Sequence, residues 1–239
     1  MKLDILAFGA HPDDVELGCG GSIALSVINK KKVGIIDLTQ GELGTRGTKE
    51  IRANEALSAS KVLGVLIREN LKFRDGFLIN NEEHQLEVVS VIRKYQPEVI
   101  LCNAFSDRHI DHAKASQLVS DSCFLSGLSK IKTKSVKGII QSSWRPSKIY
   151  HYIQWNDIIP SFVVDISSTI KNKINAISKY KSQFYDPESK EKDTPISSKN
   201  FLKSVTYRAN NLGRLIGKEA GEGFTVERYL GIRSFDDLI

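Results

Sequence analysis

The chain has 239 residues, 41% of them hydrophobic and 26% charged, with a formal net charge of +6. This is the composition of an ordinary soluble globular protein with enough apolar residues for a sizeable core, and no run approaches the ~18 to 20 apolar residues of a membrane span. The three cysteines, Cys19, Cys102 and Cys123, are odd in number and form no CxxC pair, which excludes a disulfide scaffold and points to a reducing, cytoplasmic setting.

The first apolar stretch, in "MKLDILAFGAHPDD", is too short for a signal peptide. "LDILAFGA" (3–10) ends in small residues and reads as a buried strand. A helix is expected over 15–29, its start weakened by Gly18, Gly20 and Gly21. "KKVGIIDLTQGE" (31–42) predicts a second strand and a glycine turn. An alanine-rich helix follows over 48–63, capped by Gly64, then a strand over 65–73 and a turn at "RDGF". Apolar spacing at Leu86, Val89 and Ile92 predicts a helix over 82–95, closed by Pro97, and 98–105 reads as another buried strand.

Past residue 130 the pattern changes. Strands are expected at 148–155 and 161–167, then a helix over 170–184 and the polar loop "YDPESKEKDTPIS". A last helix over 199–217 precedes a strand in "EGFTVERYLGI". Strands alternating with helices of this length predict an α/β fold: a Rossmann-like, mostly parallel sheet flanked by helices, with additional C-terminal strands and helices. With no repeat, linker or composition break, one domain over 1–239 is expected.

Much of the positive charge lies between Lys130 and Lys148, a stretch with six Lys or Arg and no acid. It lacks aromatic interleaving and any nucleic-acid-binding signature, so it reads as a solvated basic loop. Attraction of an anionic small substrate is the better functional use of the excess charge.

In an open α/β sheet, ligands bind outside the carboxyl ends of the strands. Two polar clusters fall there: His11, Asp13 and Asp14 after the first strand, and "SDRHIDH" (106–112) after the strand at 98–105. Three of the five histidines lie in these clusters. His11 and Asp14 are three apart, as are His109 and His112, a spacing that puts two side chains on one side of a turn. Together they can offer imidazole nitrogens and carboxylate oxygens to one ion, with a water in an open position, as in catalytic zinc sites. The remaining acids can then act as a base and orient a histidine.

Alone, either cluster reads as a capped helix start or a solvated loop. Their joint placement at two strand ends favours the metal. The glycines of "GCGG" lack both the G-x-G-x-x-G order and a P-loop ending. They lie too deep in the expected helix to present free amides, so a close-packing role is expected and nucleotide binding is excluded. Two histidines and a carboxylate also describe the non-haem iron oxygenase triad, whose usual β-barrel disagrees with the alternating pattern.

"AHPDDVELGCGG" with the later "HIDH" resembles the LmbE-like, or PIG-L, family of zinc-dependent N-acetylglucosamine deacetylases. "DLTQGELGTRGTKEIRANEA", "RENLKFRDGF", "DRHIDHAKAS", "HYIQW", "YKSQFYDPESKE" and "TPISSKNFL" are similar to its bacillithiol-biosynthesis subgroup, which deacetylates N-acetylglucosaminyl malate. The resemblance implies zinc, with iron(II) as the alternative in the cell, held by His11, Asp14 and His112. It further implies Asp13 as general base, His109 as an imidazolium maintained by Asp111, and Arg52 near the substrate. The two malate carboxylates call for fork-like cations. Arg108 and Arg52 are the candidates, with Arg46 ranked after them and Tyr185 and Gln183 at the mouth of the site. The expected partner is therefore a small glycoside with an anionic aglycone, not nucleic acid or a membrane, and the family suggests a homo-oligomer, often a hexamer. The rival substrates are other N-acetylglucosamine derivatives, such as a chitooligosaccharide or an inositol glycoside.

Overall fold

The computed structural model describes residues 1–238. Its elements run β1 (Ile5–Gly9), α1 (Asp14–Ile28), β2 (Val33–Thr39), α2 (Lys49–Leu63), β3 (Ile67–Phe73), α3 (Glu82–Tyr95), β4 (Val99–Asn103) and α4 (Ile110–Ser126). They continue with β5 (Lys148–Tyr152), β6 (Phe162–Asp165), α5 (Ile170–Ile177), α6 (Lys199–Leu215) and β7 (Gly221–Val226). The seven strands form one sheet in the order β3-β2-β1-β4-β5-β7-β6. The first five of that order are parallel, whereas β7 is antiparallel to both β5 and β6. The order reverses at β1, which lies between β2 and β4 and so places a crevice beyond the carboxyl ends of β1 and β4.

Alternation along the strands builds a core on each face. Leu6 and Phe8 of β1 pack with Val88 and Ile92 of α3 and Leu118 and Val119 of α4. Ala7 packs on the opposite face with Val15 and Ile23 of α1 and Ala59 and Leu63 of α2. The expected α/β sheet is present, and its strands are shorter than their apolar runs. The helix expected over 170–184 ends at Ile177, and the last strand stops at Val226. Helix α4 has no counterpart among the expected helices. Its polar Ser and Asp positions interrupt the apolar spacing, yet Ala115, Leu118, Val119 and Cys123 still reach the core. Lys130, Lys132, Lys134 and Lys137 are exposed in irregular chain, as expected of a solvated basic loop.

The glycines of α1 do more than permit packing. Gly18 lies so close to Tyr152 that a Cβ there would sit 2.1 Å from the ring. Beyond it, Cys19 leaves helical geometry (φ −143°, ψ 21°) and breaks the helix. The expectation of no free amides is thus corrected. The Gly21 and Ser22 N–H groups donate to Glu222 of β7 at 2.9 and 2.7 Å. Lys173 of α5 donates to the freed Leu17 carbonyl at 2.7 Å and to Glu222 at 2.5 Å. A buried ion pair has replaced the missing Leu17–Gly21 rung of the helix.

A second buried network ties α1 to the sheet. Arg68 of β3 makes a two-pronged contact with Asp37 of β2, at 2.7 and 2.8 Å, and donates to Glu16 of α1 at 2.5 Å. Tyr180 also donates to Glu16, at 3.0 Å. Removing the cation leaves two buried carboxylates without compensation. Arg68→Met is therefore expected to destabilise the fold by about 3–5 kcal/mol in urea unfolding.

Candidate active site

The turn after β1 positions the first cluster. Asp13 has left-handed backbone geometry (φ 115°, ψ −23°), a region that a non-glycine residue occupies at a cost of about 1–3 kcal/mol. Arg52 of α2 secures it, donating to Asp13 Oδ2 at 3.0 Å and to the Pro12 carbonyl. Room for the guanidinium comes from Gly41 (φ 64°), where a Cβ would lie 2.0 Å from Arg52 Nη1. Helix α1 then starts at Asp14, whose Oδ2 accepts the His11 backbone N–H at 2.9 Å.

Asn103 joins the two strand ends. Its Oδ1 accepts the Ala10 N–H at 2.9 Å, and its Nδ2 donates to Asp14 Oδ2 at 3.1 Å. After β5, Gln154 Nε2 donates to Asp14 Oδ1 at 2.8 Å. The second cluster arrives on the first turn of α4. His109 caps that helix, its Nδ1 accepting the Asp111 backbone N–H at 3.2 Å.

The structure brings His11, Asp14 and His112 together. Asp14 Oδ2 is 3.5 Å from His11 Nδ1, and Asp14 Oδ1 is 3.1 Å from His112 Nε2. Ligands about 2.0–2.1 Å from a tetrahedral ion are separated by about 3.3 Å, a spacing that each of these two contacts approaches through a different Asp14 oxygen. His109 joins them, with its ring centroid 4.5 Å from His11 and 5.2 Å from His112. Among the described residues, two groups of side chains could hold an ion, His11 with His109 and His112, and His11 with Asp75 and Asp111, each with ligand atoms within 4.8 Å of one another. His11 belongs to both because its Nε2 is 3.1 Å from Asp75 and 3.5 Å from Asp111. His112 Nδ1 faces Asp107 at 3.3 Å, outside hydrogen-bonding geometry.

Electrostatics follows from this crowding. Burial opposes charge on His11, yet Asp111, Asp14 and Asp75 outweigh it and hold its pKa well above the usual value. His112 rises to about 9 as Asp14 and Asp107 overcome the cost of burial. Asp14 is likewise held well below the carboxylate range, with His112 and His11 outweighing burial. Burial pushes Asp13 up to about 7, against the pull of Arg52. The acids demand positive charge, and a divalent cation supplies the same compensation.

Several expectations are altered by the geometry. The Asp111 carboxylate does not reach His109: it accepts the Gly76 and Leu78 N–H groups at 2.7 and 3.3 Å. His109 accepts the Asp111 N–H at Nδ1, which leaves its Nε2 to face the cavity as a donor, and burial with His11 and His112 lowers its pKa. Arg52 lines the cavity with its guanidinium held by Asp13 and by the Pro12 and Gly41 carbonyls. Tyr185, 41% exposed, lies outside the cavity wall. Gln183 is in the wall with its amide donating to the Arg46 carbonyl at 2.8 Å.

Arg108 does lie on the cavity, its guanidinium stacked 4.5 Å over the Trp155 ring. The cavity encloses about 540 Å³ and runs from the His11–Asp14 turn to α6. In its wall, Gln154 Oε1 and Thr194 Oγ1 are buried without a hydrogen-bond partner. Sequence reasoning missed Asp75, Asn103 and Gln154; the sequence pattern of "RDGF", "LCNAF" and "YIQW" marks a turn and two strand ends, with no sign of what they contact. Asp75→Asn is expected to weaken metal binding 10- to 100-fold in chelator competition, with the circular dichroism spectrum unchanged.

Comparison with known proteins agrees with this geometry. The GlcNAc-PI de-N-acetylase (PIG-L) family matches residues 6–123, a span that holds both clusters. The chain is 34% identical over 127 residues to YaiS of Escherichia coli K12, an uncharacterized deacetylase, covering 50% of this chain and 67% of that one. It superposes on the conserved protein TT1542 of Thermus thermophilus with a TM-score of 0.85 and 32% identity, covering 97% of this chain and 98% of that one. The N,N'-diacetylchitobiose deacetylase of Pyrococcus horikoshii, solved with its inhibitor MPG, gives a TM-score of 0.79 and 25% identity, covering 98% and 88% of the two chains. With both polar clusters inside the matched span and the fold shared from end to end, the chain belongs to the PIG-L family.

Proposed function

We propose that this chain is a zinc-dependent amidase that removes the N-acetyl group from N-acetylglucosaminyl L-malate, the deacetylation step of bacillithiol biosynthesis. The observation that carries the reading is the Asp14 carboxylate set between His11 and His112, with Asp13 beside it on the same cavity wall. His11, Asp14 and His112 would hold the ion. When bound, it polarises the acetamide carbonyl and lowers the pKa of water toward ~7.

The protein's own residues divide the remaining work. Asp13 takes the proton of the attacking water, and its burial raises its affinity for that proton. His109 Nε2–H donates to the carbonyl oxygen as negative charge develops there. Asn103 and Gln154 fix Asp14. Arg108 on the Trp155 ring offers its fork to a malate carboxylate.

A neutral chitooligosaccharide, such as the diacetylchitobiose of the Pyrococcus deacetylase, is the second reading; the likeness across nearly the whole chain favours it. Comparing kcat/KM for the malate conjugate, its methyl glycoside analogue and diacetylchitobiose decides between them. The malate conjugate is expected to lead by at least tenfold, and Arg108→Ala to erase most of that lead through KM. Equal values for all three would overturn the malate assignment. Asp13→Asn is expected to lower kcat by about 10²- to 10⁴-fold while bound zinc, measured by elemental analysis, stays stoichiometric.

A further inference from the structure

The Lys and Arg side chains that line the cavity are Arg52, Arg108, Lys173 and Arg208, and they are of two kinds. Arg52 and Lys173 are committed to the protein. Asp13 and the Pro12 and Gly41 carbonyls hold Arg52, and Glu222 and the Leu17 carbonyl hold Lys173. Arg108 is not committed in this way. Among the described residues its side chain makes no hydrogen bond with the protein, and its guanidinium stacks 4.5 Å over the Trp155 ring. Stacking occupies the face of a guanidinium and leaves its in-plane N–H groups free.

Arg208 of α6 meets the same tryptophan. Its Nη2 donates to the Trp155 carbonyl, and among the described residues its side chain makes no other hydrogen bond. Its ion-pair partner is Asp157, 3.8 Å away and fully exposed, so water screens the attraction. Burial without a buried counter-ion lowers the Arg208 pKa, so its charge is held at a cost. Phe201, two turns earlier on α6, stacks on the Trp155 ring at 5.5 Å, so one helix holds both the ring and the carbonyl. Asp107, next to Arg108 in sequence, forms no ion pair with either arginine. Its carboxylate accepts the Arg108 and Trp155 backbone N–H groups at 2.5 and 3.3 Å and faces His112 Nδ1 at 3.3 Å.

We propose that Arg108 and Arg208 form one subsite for an aglycone with two carboxylates, and that Arg208 is the residue that selects a dianion over a monoanion. The inference rests on the deacetylase reading above and assigns its specificity to a residue outside both polar clusters. Two guanidiniums on one tryptophan, each with unused N–H donors, match a short diacid that brings one carboxylate to each fork. A single carboxylate answers only one of the two charges. A neutral sugar brings hydroxyls, whose hydrogen bonds to a cation are weaker than those of a carboxylate, and leaves both charges without a counter-ion.

The test uses the metal-loaded protein and N-acetylglucosaminides that differ only in aglycone: L-malate with two carboxylates, L-lactate with one, and methyl with none. The malate conjugate is expected to exceed the lactate conjugate in kcat/KM by at least tenfold. Arg208→Ala and, separately, Arg208→Gln, which can still donate to the Trp155 carbonyl, are expected to lower that malate-to-lactate ratio at least tenfold, through KM. If Arg208 served only to hold Trp155, its loss would slow all the substrates alike and leave the ratio unchanged. Succinate binding, read as a rise in Tm that propionate does not give and that Arg208→Ala abolishes, reports the subsite without turnover. A malate preference that survives in both Arg208 variants overturns the role of Arg208 and leaves the malate reading. Equal values for the three aglycones, with succinate binding that depends on Arg208, support the subsite and remove the malate reading. Neither preference nor succinate binding overturns both.

Discussion

Burying several like charges in one place is the constraint on which this structure depends. Asp13, Asp14, Asp75 and Asp111 are buried around His11 and His112. Buried charge without compensation costs several kcal/mol per group, so each acid needs donors. The surrounding loops are shaped by that need. Asp75 accepts the Leu43 N–H at 2.9 Å, which ties the loop after β3 to the loop after β2. Asp111 gathers the Gly76 and Leu78 amides, and Arg52 reaches from α2 to Asp13. The three loops around the crevice are therefore held by the same groups that give the site its chemistry.

The same arrangement explains why strain is tolerated at Asp13. A left-handed residue between β1 and α1 lets His11, Asp13 and Asp14 converge on one cavity within four positions. A relaxed turn would send one of them elsewhere. Arg52 over-determines the conformation by bonding both to the Asp13 side chain and to the Pro12 carbonyl. The candidate base and the local strain are located in one residue, and a buried cation offsets the second.

The strands and most helices were legible because apolar alternation and helical spacing are local signals. Both polar clusters were legible because strand ends in an open α/β sheet are where ligands gather. What escaped was tertiary. Helix α4 was hidden because Ser116, Ser122 and Ser126 stand at buried positions where apolar residues would have shown the helical spacing. Asp75 sits in a four-residue turn whose composition only announces a turn, and Gln154 lies two residues past the end of β5. Arg52 was legible as a site residue but not as a partner of Asp13, since the loop that brings them together has no periodic signature. The glycines of α1 were read for packing alone, because nothing in "GCGG" shows that its open amides will meet a carboxylate about two hundred residues later.

That last contact has a consequence for how the protein is made. The helix beginning at Asp14 is completed by a side chain 201 positions downstream of Gly21. On the ribosome, at about 5–20 residues per second, the broken rung stays open for about 10–40 s after its glycines are synthesised. The turn that carries His11, Asp13 and Asp14 lies one helical turn before that rung, so its final rigidity awaits the docking of β7. The chain's earliest functional residues are thus among the last to be locked, and the nascent protein carries its acidic cluster on an unfinished helix until the sheet is closed.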